Sequence, residues 1–198
     1  MKILLASENK HKIEEIKILL EPLGYSIVSL LDLSGIEAPE ETGSTFEENA
    51  LIKAVSLHQI SGGIVIADDS GLEIDALNGQ PGVRSKRYSA EATDDANNKK
   101  LLNALSSFPP NQKGRFVCAV AICTPSKQHV YRAVCEGTIR QKQHGSGGFG
   151  YDPLFSPDAH PHKTMAELSK SEKNEISHRG LAIKQLPHVL RVLLSSTE

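Results

Sequence analysis

The stretch Gly63-Ile64-Val65-Ile66-Ala67-Asp68-Asp69-Ser70-Gly71 decides how this chain is read. Ile64, Val65 and Ile66 form a continuous β-branched run, the pattern of a strand buried on both faces. The run ends in two acids, a hydroxyl and a glycine, so Asp68 and Asp69 are expected at the strand's C-terminal end. In open α/β sheets the crevice outside such ends is where ligands bind. Adjacent strand residues point to opposite faces, so the two carboxylates are expected to have different jobs. One carboxylate so placed can hold a divalent metal or orient a water. The plainer reading is a solvated turn, since Asp, Ser and Gly all favour turns.

Upstream, Ile3–Ala6 reads as a first strand leading through Ser7-Glu8-Asn9 into a helix. Ile13, Ile16, Leu19, Leu20 and Leu23 recur there at three- and four-residue spacing, and Gly24 is the stop signal. Tyr25–Leu30 alternates as a second strand, and Glu37–Gly43 is an acidic loop. Ser44 with Glu47 reads as a capping box opening a helix to about Gln59, ended by Gly62-Gly63. Downstream, Asn78–Tyr88 is turn-rich and carries Arg84, Lys86 and Arg87. Thr93 precedes a helix to about Leu105, closed by Pro109-Pro110. Arg115–Thr124 and His129–Arg140 read as an antiparallel pair split by Pro125-Ser126-Lys127-Gln128. A glycine-rich loop spans Gly145–Gly150. The last third is helical, and Pro187 is expected to kink or shorten the final helix. Early alternation and late strand pairing predict a mixed α/β sheet.

At 198 residues the chain suits one domain, with room for two lobes. Its 39% hydrophobic and 23% charged residues are those of an ordinary globular protein. A net charge of −2 leaves no global basic field for a nucleic-acid backbone. No apolar run approaches the ~18 residues of a membrane span. The opening Met1-Lys2-Ile3-Leu4-Leu5-Ala6-Ser7 is too short in apolar residues for a signal peptide. Cys118, Cys123 and Cys135 make an odd count without a C-x-x-C pair, which argues against a disulfide framework or zinc site. Buried thiols in a reducing cytoplasm are expected.

Four segments could carry chemistry. The turn Ser7-Glu8-Asn9-Lys10-His11-Lys12 joins a strand to a helix, where N–H groups bind anions and Lys12 adds a charge suited to phosphate. A plain helix cap would also explain it. Gly145-Ser146-Gly147-Gly148-Phe149-Gly150 formally matches a dinucleotide fingerprint, but Pro153 blocks the helix such a loop must open. Phe149 is better read as an aromatic able to stack on a flat base, with Asp152 able to accept a hydrogen bond. Lys173 with Ser177-His178-Arg179-Gly180 suits phosphate or carbonyl oxygens. Glu40-Glu41-Thr42-Gly43 could join Asp69 around Mg²⁺. His160-Pro161-His162 resembles a metal pair only loosely.

In this order the segments resemble the Ham1/RdgB family of inosine triphosphate pyrophosphatases. Six motifs carry the resemblance: Ser7, Asn9 and Lys12; Glu40 to Gly43 with Thr45 to Ala50 and Lys53; Ala67 to Leu72; Pro81-Gly82-Val83 with Ser85, Arg87 and Tyr88; Gly147 to Pro153; and Ser177 to Gly180. The resemblance implies a single domain over 1–198, an elongated two-lobed α/β body with a mixed sheet and a central cleft, usually dimeric. It implies that Ser7, Glu8, Asn9, Lys10, His11 and Lys12 hold the triphosphate, with Lys53 nearby. Glu40 and Asp69 would meet Mg²⁺, Glu40 being preferred to Glu41 by alignment alone, and Asp69 would activate the attacking water. Ser70 would touch the substrate. Phe149, Gly150, Tyr151 and Asp152 would form the base pocket. Lys173, His178 and Arg179 would read the purine's oxygen edge.

The reaction implied is attack between the α- and β-phosphates of ITP, dITP or XTP, giving a monophosphate and pyrophosphate and keeping deaminated bases out of DNA and RNA. The enzyme would be cytoplasmic, homodimeric and free of direct nucleic-acid or membrane contact. Adenine's amino group would leave buried donors unpaired at about 1–3 kcal/mol each. Guanine shares the 6-keto oxygen, so its rejection needs a clash or unmet donor at the 2-amino group. A pyrophosphatase for modified pyrimidine nucleotides and a nucleotide sensor without turnover are the rival readings.

Overall fold

The computed structural model describes residues 1–33 and 35–195; the last three positions of the expected domain lie outside the described residues. Its strands are β1 (Lys2–Leu5), β2 (Ser26–Ser29), β3 (Val65–Ile74), β4 (Lys113–Cys123), β5 (Gln128–Ile139) and β6 (Phe155–Pro157). Its α-helices are α1 (Lys10–Leu20), α2 (Phe46–Ser61), α3 (Asp94–Ala104), α4 (Lys170–Ile176) and α5 (His178–Ser195). One sheet has the order β2-β1-β3-β4-β5-β6. It is mixed: β1 pairs in parallel with β2 and β3, and β6 runs antiparallel to β5. Residues 124–127 link β4 to β5, with the Thr124 N–H donating to the Lys127 carbonyl at 2.8 Å. A link this short permits only an antiparallel pair.

The β-branched run does not stop at its acids. β3 is ten residues long, because Leu72 and Ile74 resume the inward alternation beyond Gly71 and are fully buried. Asp68 and Asp69 therefore lie inside the strand, a correction to their expected place at its end. β1 pairs with β3 only at Val65 and Ile66, so the extension past the hydroxyl and glycine rests on the other sheet neighbour, β4, and on the burial of Leu72 and Ile74.

The described chain forms two compact units. The first comprises Met1–Asp69, Cys118–Ala133 and the chain from Arg179 on; the second comprises Ser70–Val117 and Val134–His178. In the first, Ile13, Ile16 and Leu20 of α1 and Ile66 of β3 share a core with α5. The final helix is not shortened at Pro187 but runs through it. A proline inside a helix costs about 3 kcal/mol. Each buried leucine or isoleucine returns about 1.5–3 kcal/mol, and Ile183, Leu186, Leu190 and Leu193 flank Pro187 in that core. Packing therefore outweighs the lost hydrogen bond. In the second unit Leu72, Ile74, Leu101, Phe116, Tyr151 and Phe155 form a separate core.

Candidate active site

The turn after β1 begins the first cluster. Asn9 caps α1: its Oδ1 accepts from the N–H groups of His11 at 3.0 Å and Lys12 at 3.3 Å. Ser7 Oγ in turn accepts the Asn9 N–H at 3.3 Å. Two N–H groups of this helix start are thus already satisfied by side chains. Glu8, Lys10 and His11 are exposed. Lys12, three residues past the Asn9 cap, places Nζ 2.9 Å from Asp68 Oδ2. Arg179, at the start of α5, sets Nε 3.6 Å from the same oxygen and also pairs with Glu15. Asp68 is 1% exposed and Arg179 2%.

Asp69 faces a different set, as alternation along a strand requires. Asn49 Nδ2 donates to its Oδ2 at 3.2 Å, and Lys53 Nζ stands 3.4 Å from its Oδ1. Lys53 also bonds Glu41 at 2.9 Å. Asn49 and Lys53 are one turn apart on the face of α2 that buries Phe46, Ala50, Ala54 and Leu57. The capping box of α2 is Thr45 with Glu48 rather than Ser44 with Glu47, one residue later than expected. Phe46 at the first helical position is buried, and Glu47 instead reaches Arg132 at 3.5 Å. Asn49 Oδ1 also accepts the Gly43 N–H at 2.8 Å, and a Cβ on Gly43 would lie 2.7 Å from that oxygen. Only glycine lets the acidic loop pass there. The loop brings Glu41 to Lys53; Glu40, expected at the metal, is exposed.

The two neighbouring carboxylates are driven apart electrostatically. Burial alone would raise the Asp68 carboxyl, but Lys12, Arg179 and Lys53 reverse it and hold it well below the usual carboxylate range. Burial pushes the Asp69 carboxyl up, Lys53 and Lys12 oppose it, and Glu41 and Asp68 add to the rise. Burial would lower the Lys53 ammonium, but Asp69, Asp68 and Glu41 raise it, so it stays charged. Two acids side by side, one fixed as a counter-ion and one with raised proton affinity, are the arrangement expected of a structural acid beside a base.

The second unit holds the other cluster. Phe149 sits between Gly148 (φ 73°) and Gly150 (φ 61°). Asp152 Oδ2 accepts the Phe149 N–H at 3.0 Å and the Lys173 ammonium at 2.8 Å. Lys173 Nζ stands 4.8 Å from the centroid of the half-buried Phe149 ring. A Cβ on Gly148 would lie 2.0 Å from Asp152 Oδ2, so this glycine is required by space as well as by φ. Tyr151, expected to line the base pocket, belongs to the core, with its hydroxyl donating to the Ser85 carbonyl at 2.8 Å. His178 stacks on Phe116 with centroids 4.9 Å apart. Ser70 is half-buried in β3.

Of the three residues expected at one oxygen-reading edge, Lys173 and His178 lie in the second unit. Arg179, next in the chain to His178, is held by Asp68 and Glu15. Asn49 and Glu15 were not singled out by sequence reasoning. Asn49 left a signal: a polar residue on the apolar stripe of α2.

Among the described residues no group of three or more His, Cys, Asp or Glu side chains could hold a metal by itself. Asp69 and Glu41, joined through Lys53, supply two hard carboxylate donors. That set fits Mg²⁺, which takes one or two carboxylates and completes its shell with water and phosphate oxygens.

The profile of the Ham1 family matches residues 3–189. A protein of Desulforamulus reducens named dITP/XTP pyrophosphatase is 45% identical over 196 residues, 98% of this chain and 97% of its own. One of Bacillus licheniformis with the same name is 48% identical over 191 residues, 95% of this chain and 97% of its own. Among solved structures, the Staphylococcus aureus Ham1 protein superposes with a TM-score of 0.85 at 40% identity, covering 96% of this chain and 98% of its own. A HAM1 protein from Coxiella burnetii gives 0.87 at 42% identity with the same coverage of both chains. On both its sequence and its fold, the chain belongs to the Ham1 family.

Proposed function

We propose that this protein is a nucleoside-triphosphate pyrophosphatase that hydrolyses deaminated purine nucleotides, dITP, ITP and XTP, to the monophosphate and pyrophosphate. The observation that carries the reading is the pair of adjacent carboxylates with opposed environments: Asp68 locked between Lys12 and Arg179, Asp69 between Lys53 and Asn49. Relatives named dITP/XTP pyrophosphatase, at 45% and 48% identity over nearly the whole chain, support the substrate class.

In this reading the two units act as one catalytic domain. The turn from Ser7 to Lys12, together with Lys53, takes the triphosphate. Lys12 and Lys53 counter its charge, and the exposed Lys10 and His11 meet its outer phosphates. Asp69 with Glu41 would hold Mg²⁺; when bound, the ion would neutralise phosphate oxygens during in-line displacement. Asp69, held between Asn49 and Lys53, accepts the proton of the attacking water. Asn49 fixes the rotamer of Asp69 for that transfer. Asp68 does not exchange protons; it orients Lys12. Arg179 is assigned to keeping Asp68 ionised. Phe149 stacks on the base, and Lys173 and His178 donate to its 6-keto oxygen, which rejects the amino group of adenine. Asp152, already bonded to Phe149 and Lys173, shapes this pocket.

The three buried cysteine thiols suit a reducing cytoplasm. Among the described residues no helix is long and apolar enough to cross a membrane. Homodimerisation follows from the family resemblance.

Pyrophosphate release with Mg²⁺ from dITP, XTP, GTP and ATP tests the assignment. Fast release from dITP and XTP alone is expected. Equal rates on all four would remove the substrate class, and nucleotide binding without release would make the protein a sensor.

A further inference from the structure

Phe149 is useful for stacking only if its ring is held where a base arrives, yet it sits between two glycines in the left-handed region. Glycine leaves the backbone free to rotate there, so the ring's position must be set by bonds from outside the loop. On the N-terminal side the bond is known: Asp152 Oδ2 takes the Phe149 N–H at 3.0 Å. On the C-terminal side two residues of α3 do the equivalent work. Asp94 Oδ2 accepts the Gly150 N–H at 2.6 Å, and Asn98 Nδ2 donates to the Gly150 carbonyl at 2.9 Å. Asp94 and Asn98 are one helical turn apart on α3, so they face the same way and grip both polar groups of a single residue. All three lie in the second unit.

We infer that Asp94 and Asn98 are positioning residues for base recognition: together they clamp Gly150 and so fix the angle at which Phe149 presents its ring.

Two further observations support a purpose beyond packing. Asn98 is 2% exposed, and its Oδ1 has no hydrogen-bond partner among the described residues. A buried amide that satisfies only one of its two ends is unfavourable, so the bond it keeps, to Gly150, accounts for its presence. Asp94, by contrast, is exposed at the first helical position, where its charge also suits the helix N-terminus. Reaching 56 residues along the chain to the Gly150 N–H is therefore an added task rather than a capping requirement, since Thr93 already caps α3. Loss of Asp94 or Asn98 should weaken affinity for the base and leave the chemical step alone, because preorganisation lowers the cost of ordering on binding.

The inference rests on the proposed function, and the test separates the two. Binding of dIMP, which carries the base and one phosphate, is measured by calorimetry alongside kcat and KM for dITP, in wild type, Asp94→Ala, Asp94→Asn and Asn98→Ala. Asp94→Ala and Asn98→Ala are expected to weaken dIMP binding about tenfold and to raise KM alike, with kcat within twofold. Asp94→Asn keeps an acceptor oxygen and should restore most of the affinity, which a charge or helix-stability role would not. Asp94 is exposed, so its variants are not at risk of misfolding, and thermal melting checks Asn98→Ala. If the wild type binds dIMP with this pattern but releases no pyrophosphate, the clamp stands and the enzyme assignment falls. Unchanged dIMP affinity in Asp94→Ala, equal losses in Asp94→Asn and Asp94→Ala, or no dIMP binding by the wild type would each overturn the clamp.

Discussion

The two clusters are built by opposite means. In the first unit the residues around Asp68 and Asp69 are seated on regular secondary structure, with only Glu41 supplied by a loop: Lys12 on α1, Lys53 and Asn49 on α2, Asp68 and Asp69 on β3, Arg179 on α5. In the second the central aromatic lies in a glycine loop, held by Asp152, Asp94 and Asn98 through its backbone. The first is a set of charges fixed by packed elements, the second a surface fixed by side chains that grip a glycine-rich loop. Charges that must neutralise phosphate gain most from rigid placement in a water-poor setting, where they need not reorganise. A stacking platform has to admit and release a flat base, and a loop permits that. The difference suggests a division of labour, chemistry in one unit and recognition in the other.

The largest expected effect breaks the first cluster at its base. Asp69→Asn should lower the rate of pyrophosphate release about 10²–10⁴-fold, the range for loss of a general base; a steady-state assay reads it. Next is Asp68→Ala, which leaves Lys12 and Arg179 beside an emptied, buried position. Removing one partner of a buried ion pair costs about 3–5 kcal/mol, to be read from urea unfolding. The same pair predicts an acid dependence. Asp68 is depressed when folded, so its contribution is complete above the unfolded carboxyl value of about 3.9 and is lost as pH falls through the lower, folded value. Unfolding midpoints measured from pH 7 to pH 3 should fall at the acid end in wild type and less so in the variant.

Smaller effects sharpen the comparison. Gly148→Ala puts a Cβ 2.0 Å from Asp152 Oδ2 at φ 73°, and should raise KM for dITP about tenfold, since strain of this kind costs about 1–3 kcal/mol. Glu41→Gln should raise the Mg²⁺ concentration needed for half-maximal rate several-fold, and Glu40→Gln should not. The reverse result would return the metal to Glu40. Smallest of all, the thiols should be inert. Burial pushes the Cys135 thiol up to about 12 and raises Cys123, so labelling by a thiol reagent at pH 8 should be slow until the protein is unfolded.

What the sequence made legible follows the same division. Periodicity and caps located α1, α2 and α3, and the apolar run located β3, because those elements are set by local pattern and burial. The different partners of Asp68 and Asp69 followed from alternation alone. The end of β3 did not, because Leu72 and Ile74 had to be weighed against Ser70 and Gly71, and the sheet neighbours that decide the matter are distant in sequence. Pro187 misled in the same way, since burial of the surrounding side chains is a tertiary gain. Glu40 and Glu41 are equivalent in a string of letters; only the position of Lys53 separates them. The grip of Asp94 and Asn98 on Gly150 joins segments more than fifty residues apart and left no local mark.

The division itself is tested most directly by kcat and KM for dITP measured in parallel on Asp69→Asn and Phe149→Ala. The account predicts that Asp69→Asn lowers kcat by orders of magnitude with KM little changed. It predicts that Phe149→Ala raises KM about 5- to 100-fold, the worth of one stacked base, with kcat nearly kept. A fall in kcat with Phe149→Ala as large as that with Asp69→Asn would contradict it, as would an Asp69→Asn variant impaired only in KM.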